Sequence, residues 1–163
     1  MSAYHQGIVN LMKEVIQLLL REDYKIFLFG GGKKEIEQLR IMASTSSNCV
    51  NIAGVLTFKQ ELDLISNLDL MLSMDSGNGH MAAMFNIPVL TMWGNTHPYA
   101  GFVPFRQPAK NSLLPDMKKY PFLPTSVYGN KIIPDYEDCM KSIQPQVVVE
   151  TVKQILTNSA ENT

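Results

Sequence analysis

Apolar residues recur with helical spacing at the start of the chain. Ile8, Leu11, Met12, Val15, Leu18 and Leu19 share one face over residues 8–21, which predicts an amphipathic helix. Residues 25–29 (KIFLF) then form a short, nearly continuous apolar run, as in a strand buried on both faces of a parallel sheet. After GGGKKE, Ile36, Leu39 and Met42 predict a second helix, and residues 50–54 (VNIAG) a short strand. Thr57 and Gln60 stand at capping-box spacing before the helical pattern of 57–68. Residues 69–74 (DLMLSM) read as a strand, 80–85 (HMAAMF) as a short helix, and 88–93 (PVLTMW) as another strand.

This alternation is the signature of βαβ units. The expected fold is α/β: one three-layer, Rossmann-like domain over residues 1–163, with a parallel sheet and helices on both faces. Phe29, Leu72 and Leu90 are expected to be covered. Periodicity fades over 95–144, which holds seven of the nine prolines, so a long Pro-rich loop region within the domain is expected, one that carries function or wraps a neighbouring surface. The closing helix starts at Pro145, in the N1 position, with Val148, Val152, Ile155 and Leu156 on one face.

Charge narrows the partners. Fourteen basic residues against fifteen acidic give a formal charge of −1, and no basic stripe appears, so no nucleic-acid partner is expected. An anionic ligand would have to be held locally. Cys49 and Cys139 form no metal-binding spacing, and His80, His97 and Asp75 match no known ligand pattern, so no metal site is expected. The first ten residues lack the pattern of an export signal, and no run is long enough to span a membrane, which points to the cytoplasm.

Parallel strands bring their carboxyl-end loops to one edge of the sheet, where ligands of open α/β sheets bind. Four loops converge there: Gly30-Gly31-Gly32, Ala53-Gly54-Val55, Asp75 to Gly79, and Gly94-Asn95-Thr96. The third leads straight into a helix whose first amides lack internal partners and whose dipole favours a phosphate. His80 lies in the first turn, in reach of the same anion. A Walker pattern is absent, since no hydroxyl residue follows Lys33. GNGHMA matches GxGxxA, but after the third strand and without an acidic residue closing the next one, a weak nicotinamide site. A nucleophile elbow fails because Met74 precedes Ser76 by two.

Residues 75–98 (DSGNGHMAAMFNIPVLTMWGNTHP) resemble the D-[ST]-G-P-x-H-x-A-A…P-V…[FW]-G-P-T-x-P segment of glycosyltransferase family 9, the ADP-heptose:lipopolysaccharide heptosyltransferases. KIFLFGGGKKE, VNIAGVLTFKQELDLISNLDLMLSMDSG and CMKSIQPQVVVETVKQIL are similar to further segments of that family, so the likeness covers most of the chain. The resemblance implies the C-terminal half of a GT-B enzyme: the donor-binding half, for a nucleotide-sugar such as ADP-heptose, of an inverting transferase of lipopolysaccharide core biosynthesis. It implies that Ser76, Gly77, Asn78, Gly79 and His80 cradle the donor diphosphate and that Asp75 orients the loop. Glu35, with Gly54, Val55 and Leu56, would serve the nucleoside. Asn95, Thr96 and His97 are sugar-side candidates, with Asn95 and His97 standing where the family has Pro and Asp.

No catalytic residue is expected in this chain, His80 serving at most to stabilise the leaving group. The family's acceptor-side base, usually an aspartate, belongs to an N-terminal domain outside these residues, so the chain is expected to be a fragment inactive alone. No cofactor or metal is implied. The implied partners are the nucleotide-sugar and, through the N-terminal domain, a lipid A-core acceptor at the inner face of the bacterial inner membrane. Peripheral membrane association of the full enzyme and self-association of the fragment accord with this. Two other readings stand beside it: a stand-alone nucleotide-binding module without catalysis, and a nicotinamide-dependent oxidoreductase fragment.

Overall fold

A computed structural model describes residues 3–131 and 133–161. In chain order the main elements are α1 (Ala3–Arg21), β1 (Ile26–Leu28), α2 (Lys33–Ala43), β2 (Cys49–Asn51), α3 (Phe58–Ile65), β3 (Met71–Met74), α4 (Gly77–Met84), β4 (Val89–Met92), β5 (Ser112–Leu113) and α5 (Pro145–Ala160). The expected α/β alternation holds, and every strand pair is parallel. Local signals set several boundaries. Thr57 and Gln60 close a full capping box on α3, and Pro145 opens α5.

The strands sort their side chains by the two-residue period. Met71 and Val89 pack with Ile65 of α3 and with Ala82 and Ala83 of α4. Their neighbours Leu72, Leu90 and Met92 turn the other way, toward Leu11, Val15 and Leu19 of α1 and Val148, Val152 and Ile155 of α5. Helices therefore cover both faces, and the structure is three-layered. Leu90 is fully buried, and Phe29 and Leu72 are partly covered, each packed against a core cluster. Ile16 carries α1 onto Leu28, Met42 and Cys49, so one helix spans both parts of the core.

The single parallel sheet expected from the alternation is divided. One ladder holds β1 and β2, the other runs β3-β4-β5, and no hydrogen bonds join β1 to β3. The strand expected over 50–54 is Cys49–Asn51, because Ile52 donates to Leu28 O (3.1 Å) and the chain then turns. The Pro-rich region packs onto this domain. Tyr120, Leu123, Tyr136, Cys139, Met140 and Ile143 are buried in the same core as α1 and α5. Gln107 caps the start of β4 by accepting the Val89 N–H at 2.8 Å, and β5 extends the ladder from within this region. Cys139 is fully buried, and desolvation pushes its thiol up to about 11.

Gly79 lets α4 lie close on the sheet. A Cβ there would stand 3.0 Å from Ser73 Oγ and 3.4 Å from Val89 Cγ1, whereas a Cβ on Gly77 would meet nothing within 4 Å. Neither glycine has a positive φ among the described residues, so neither is needed for its backbone angles. What approaches Gly79 is Ser73. Gly79→Val is expected to cost about 1–3 kcal/mol through overpacking, with Gly77→Ala near neutral. Urea unfolding of both variants checks this, and equal stabilities would contradict it.

Candidate functional site

The third loop begins where β3 ends. Ser76 occupies the N-cap of α4 in extended conformation (φ −150°, ψ 160°), yet its side chain makes no capping bond. Its Oγ lies 3.0 Å from Ser73 Oγ instead, and the Ser73 hydroxyl also donates to the Met74 carbonyl. The first amides of α4, at Gly77, Asn78 and Gly79, are therefore left without a side-chain cap at the positive end of the helix dipole. His80 follows in the first turn, exposed. Among the described residues, Asp75 accepts no hydrogen bond, so the loop-orienting contact expected of it is absent, and the Ser73–Ser76 pair ties the loop to the strand. Ser73 escaped the sequence reading; its signal was a lone hydroxyl at an inward-facing strand position.

Glu35 lies in the first turn of α2, where its Oε2 accepts the Gly31 N–H at 2.9 Å. The carboxylate thus holds the first glycine loop in place. Gly30 is there for packing, since a Cβ would lie 2.6 Å from Leu39 Cδ1, and Gly32 carries the positive φ of 81° that starts α2. In the second loop Gly54 takes φ 73°, and a Cβ there would meet Ile36 Cδ1 at 2.9 Å. Val55 beside it is 72% exposed, and Leu56 is half-buried.

One cavity of about 1110 Å³ opens between the two ladders, and its wall includes Gly30, Gly31, Glu35, Ser76 and Asn78. The structure therefore brings the first and third loops to one space. The wall does not include Gly54, Val55 or Leu56 of the second loop, nor the three residues of the fourth.

Those fourth-loop residues are built into the fold. Asn95 is buried, with its Oδ1 3.7 Å from Cys139 Sγ and its backbone carbonyl accepting the Thr125 N–H. His97 is buried, and its Nδ1 accepts the Tyr99 N–H at 3.2 Å, capping the short 3-10 turn Pro98–Ala100. Thr96 is half-buried beside Gly129. The Pro-rich region folds back over this loop and turns two of the three sugar-side candidates inward. No group of three His, Cys, Asp or Glu side chains among the described residues is placed to hold a metal ion. No helix among them is long and apolar enough to cross a membrane.

Burial holds the His97 imidazole below its ordinary pKa. The fold thus favours neutral His97, and that stability is complete above the unfolded value of about 6.5. It is lost as pH falls from there through the lower folded value. The urea midpoint is expected to drop between pH 7.5 and pH 5, and His97→Asn, which keeps an acceptor for Tyr99, is expected to flatten the slope. Identical pH profiles for the two proteins would exclude His97 as the source.

With this geometry in hand, comparison with known proteins places the chain. The model of glycosyltransferase family 9 (heptosyltransferase) matches residues 11–130. The lipooligosaccharide heptosyltransferase 2 of Haemophilus influenzae is 33% identical over 89 residues, covering 52% of this chain and 26% of that protein. The protein of the same name from Campylobacter jejuni is 25% identical over 149 residues, covering 88% of this chain and 44% of its own length. Among solved structures, ADP-heptose lps heptosyltransferase II of E. coli superposes with a TM-score of 0.68 at 22% identity, over 91% of this chain and 41% of that one. A family 9 glycosyl transferase from Veillonella parvula gives the same score over 92% and 42%. The chain spans under half the length of each of these relatives. It belongs to glycosyltransferase family 9, the heptosyltransferase family.

Proposed function

We propose that this chain is the donor-binding half of an inverting, metal-independent glycosyltransferase of lipopolysaccharide core assembly, with ADP-heptose as its donor. The observation that carries this reading is the uncapped start of α4. Its first amides open at the carboxyl end of β3, in the same space as the glycine loop after β1. With a net charge of −1, the chain offers no general pull on an anion, so local dipoles must supply it. The amides of Gly77, Asn78 and Gly79 would receive the diphosphate, and His80 would add a charged or neutral donor from the same turn. In the transfer, negative charge grows on the departing diphosphate, and fixed donors that meet it there lower the barrier.

Glu35 and the Gly54–Leu56 turn are the nucleoside candidates, Glu35 because it already borders the cavity. Thr96 is the fourth-loop residue best kept as a sugar-side candidate, since Asn95 and His97 are occupied within the fold. The acceptor, a lipid A-core saccharide, and the base that deprotonates it would come from polypeptide beyond this half. Family membership leaves the nicotinamide reading without support.

Gly77→Pro tests the site cleanly. Position N1 tolerates proline, Ser76 before it is already extended, and a Cβ there is unobstructed, so the helix should persist while one amide donor disappears. A hydrogen bond to a charged group is worth roughly 1.5–3 kcal/mol, about tenfold or more in affinity. Calorimetric titration of ADP is expected to show weak binding that survives EDTA, weakened about tenfold or more by Gly77→Pro and by His80→Ala, and retained by Gly77→Ala. Equal affinity in all four proteins would leave the loop as a mere turn.

A further inference from the structure

Two exposed tyrosines stand beside the fourth loop, and the fold holds each of them there. Tyr99, 94% exposed, follows buried His97, whose Nδ1 accepts its backbone N–H and whose ring meets its own edge-on, with centroids 4.5 Å apart. Tyr128, 76% exposed, lies in a turn over 126–129 that the Gly129 N–H closes on the Ser126 carbonyl (3.2 Å). That turn is seated on the fourth loop. Gly129 takes φ 64°, and a Cβ there would stand 2.8 Å from Thr96 Cγ2. Half-buried Phe102 packs against the Tyr128 ring, with centroids 6.0 Å apart, and so joins the two stretches. Polar groups border the rings. Ser126 Oγ donates to Asn130 Oδ1 (3.0 Å) and accepts the N–H of exposed Lys131 (3.3 Å). Residues 99–131 hold five basic residues, all exposed, against Asp116 alone, whereas the rest of the chain has nine against fourteen.

We infer that Tyr99 and Tyr128 form a stacking platform for an acidic saccharide, the acceptor of the reaction, with Lys131 as the cation that meets its carboxylate. The inference rests on the proposed sugar transfer and deepens it. An aromatic face is electron-rich, and the C–H bonds on one face of a pyranose carry partial positive charge, so ring and sugar attract. A tyrosine has only two side-chain rotations to lose, so stacking on it costs little entropy. Scattered exposed aromatics are ordinary, but these two are pinned to one loop, through His97 in one case and Gly129 in the other. Placement separates acceptor from donor. Neither tyrosine borders the cavity where the first and third loops meet, so the platform lies outside the space proposed for the donor. Both rings nevertheless lie by a loop at the carboxyl edge of the sheet, where a transfer must bring its two sugars together. The surplus of cations favours an acidic ligand over a neutral one. A bilayer would suit the cations, but it would leave the hydroxyl and amide groups of Ser126 and Asn130 unused.

Saturation-transfer NMR on the whole chain tests this, with delipidated lipopolysaccharide core oligosaccharide as the probe. Saturation is expected on the sugar ring protons. Tyr99→Ala and Tyr128→Ala should each reduce it by about threefold or more, while Tyr99→Phe and Tyr128→Phe keep it. Reducing the carboxyl groups of the probe, or Lys131→Gln, should weaken it by a similar factor. ADP titration of all variants should match that of the unaltered chain. Three results would overturn the platform and leave the donor reading standing: no saturation, equal saturation in the alanine variants, or indifference to carboxyl reduction. Weaker ADP binding in the alanine variants would overturn it as well, by placing the rings in the donor site. Absence of ADP binding from every protein, beside the expected saccharide signals, would sink the donor reading alone. Binding to anionic vesicles that needs both tyrosines, with no saccharide signal, would assign the surface to a membrane instead.

Discussion

The close seating of α4 on β3 and β4 is the contact on which the site depends. Gly79, Ala82 and Ala83 recur at helical spacing and are buried, so the helix meets the sheet with almost no side chain between them. Ser73 Oγ and Val89 Cγ1 fill the space that a Cβ on Gly79 would claim. This packing fixes the axis of α4, and with it the direction of its first amides. Had the helix stood off the sheet by a larger residue, those amides would not open beside the end of β3. On the proposed function, a binding property follows from a packing one.

The site that results uses few side-chain charges. Its donors are backbone amides at a helix start, and its acidic residue, Glu35, is engaged in holding the neighbouring glycine loop. If the proposed function holds, such a site is prepared in advance of its ligand, because helix and loop geometry hold the dipoles in place. The Ser73–Ser76 pair adds to this by drawing the N-cap side chain away from the amides it would otherwise satisfy. The helix start is left open for an outside acceptor. The chain belongs to the heptosyltransferase family, and the fold similarity spans nearly the whole chain.

The elements were legible in the sequence wherever their signals were local. Thr57 and Gln60, and Pro145, act within a few residues, and the structure has them where expected. The two glycines of GNG show the limit. A missing Cβ can serve a ligand, a turn or a neighbouring strand, and only the fold reveals that Gly79 serves the strand while Gly77 is unobstructed. Asn95 and His97 read as polar loop residues near a ligand because nothing adjacent says otherwise. Asn95 is held by residues 30 or more positions away, Thr125 and Cys139, and such contacts leave no periodic trace. The division of the sheet was equally invisible, since each βαβ unit is complete by its own local pattern.

Backbone amide NMR of the chain titrated with inorganic pyrophosphate tests the central claim most directly. The account predicts that the resonances of Gly77, Asn78 and Gly79 shift together and saturate in the absence of divalent cations, with His80 following. Shifts centred instead on residues 95–101, or no saturable shift anywhere along the chain, would contradict it.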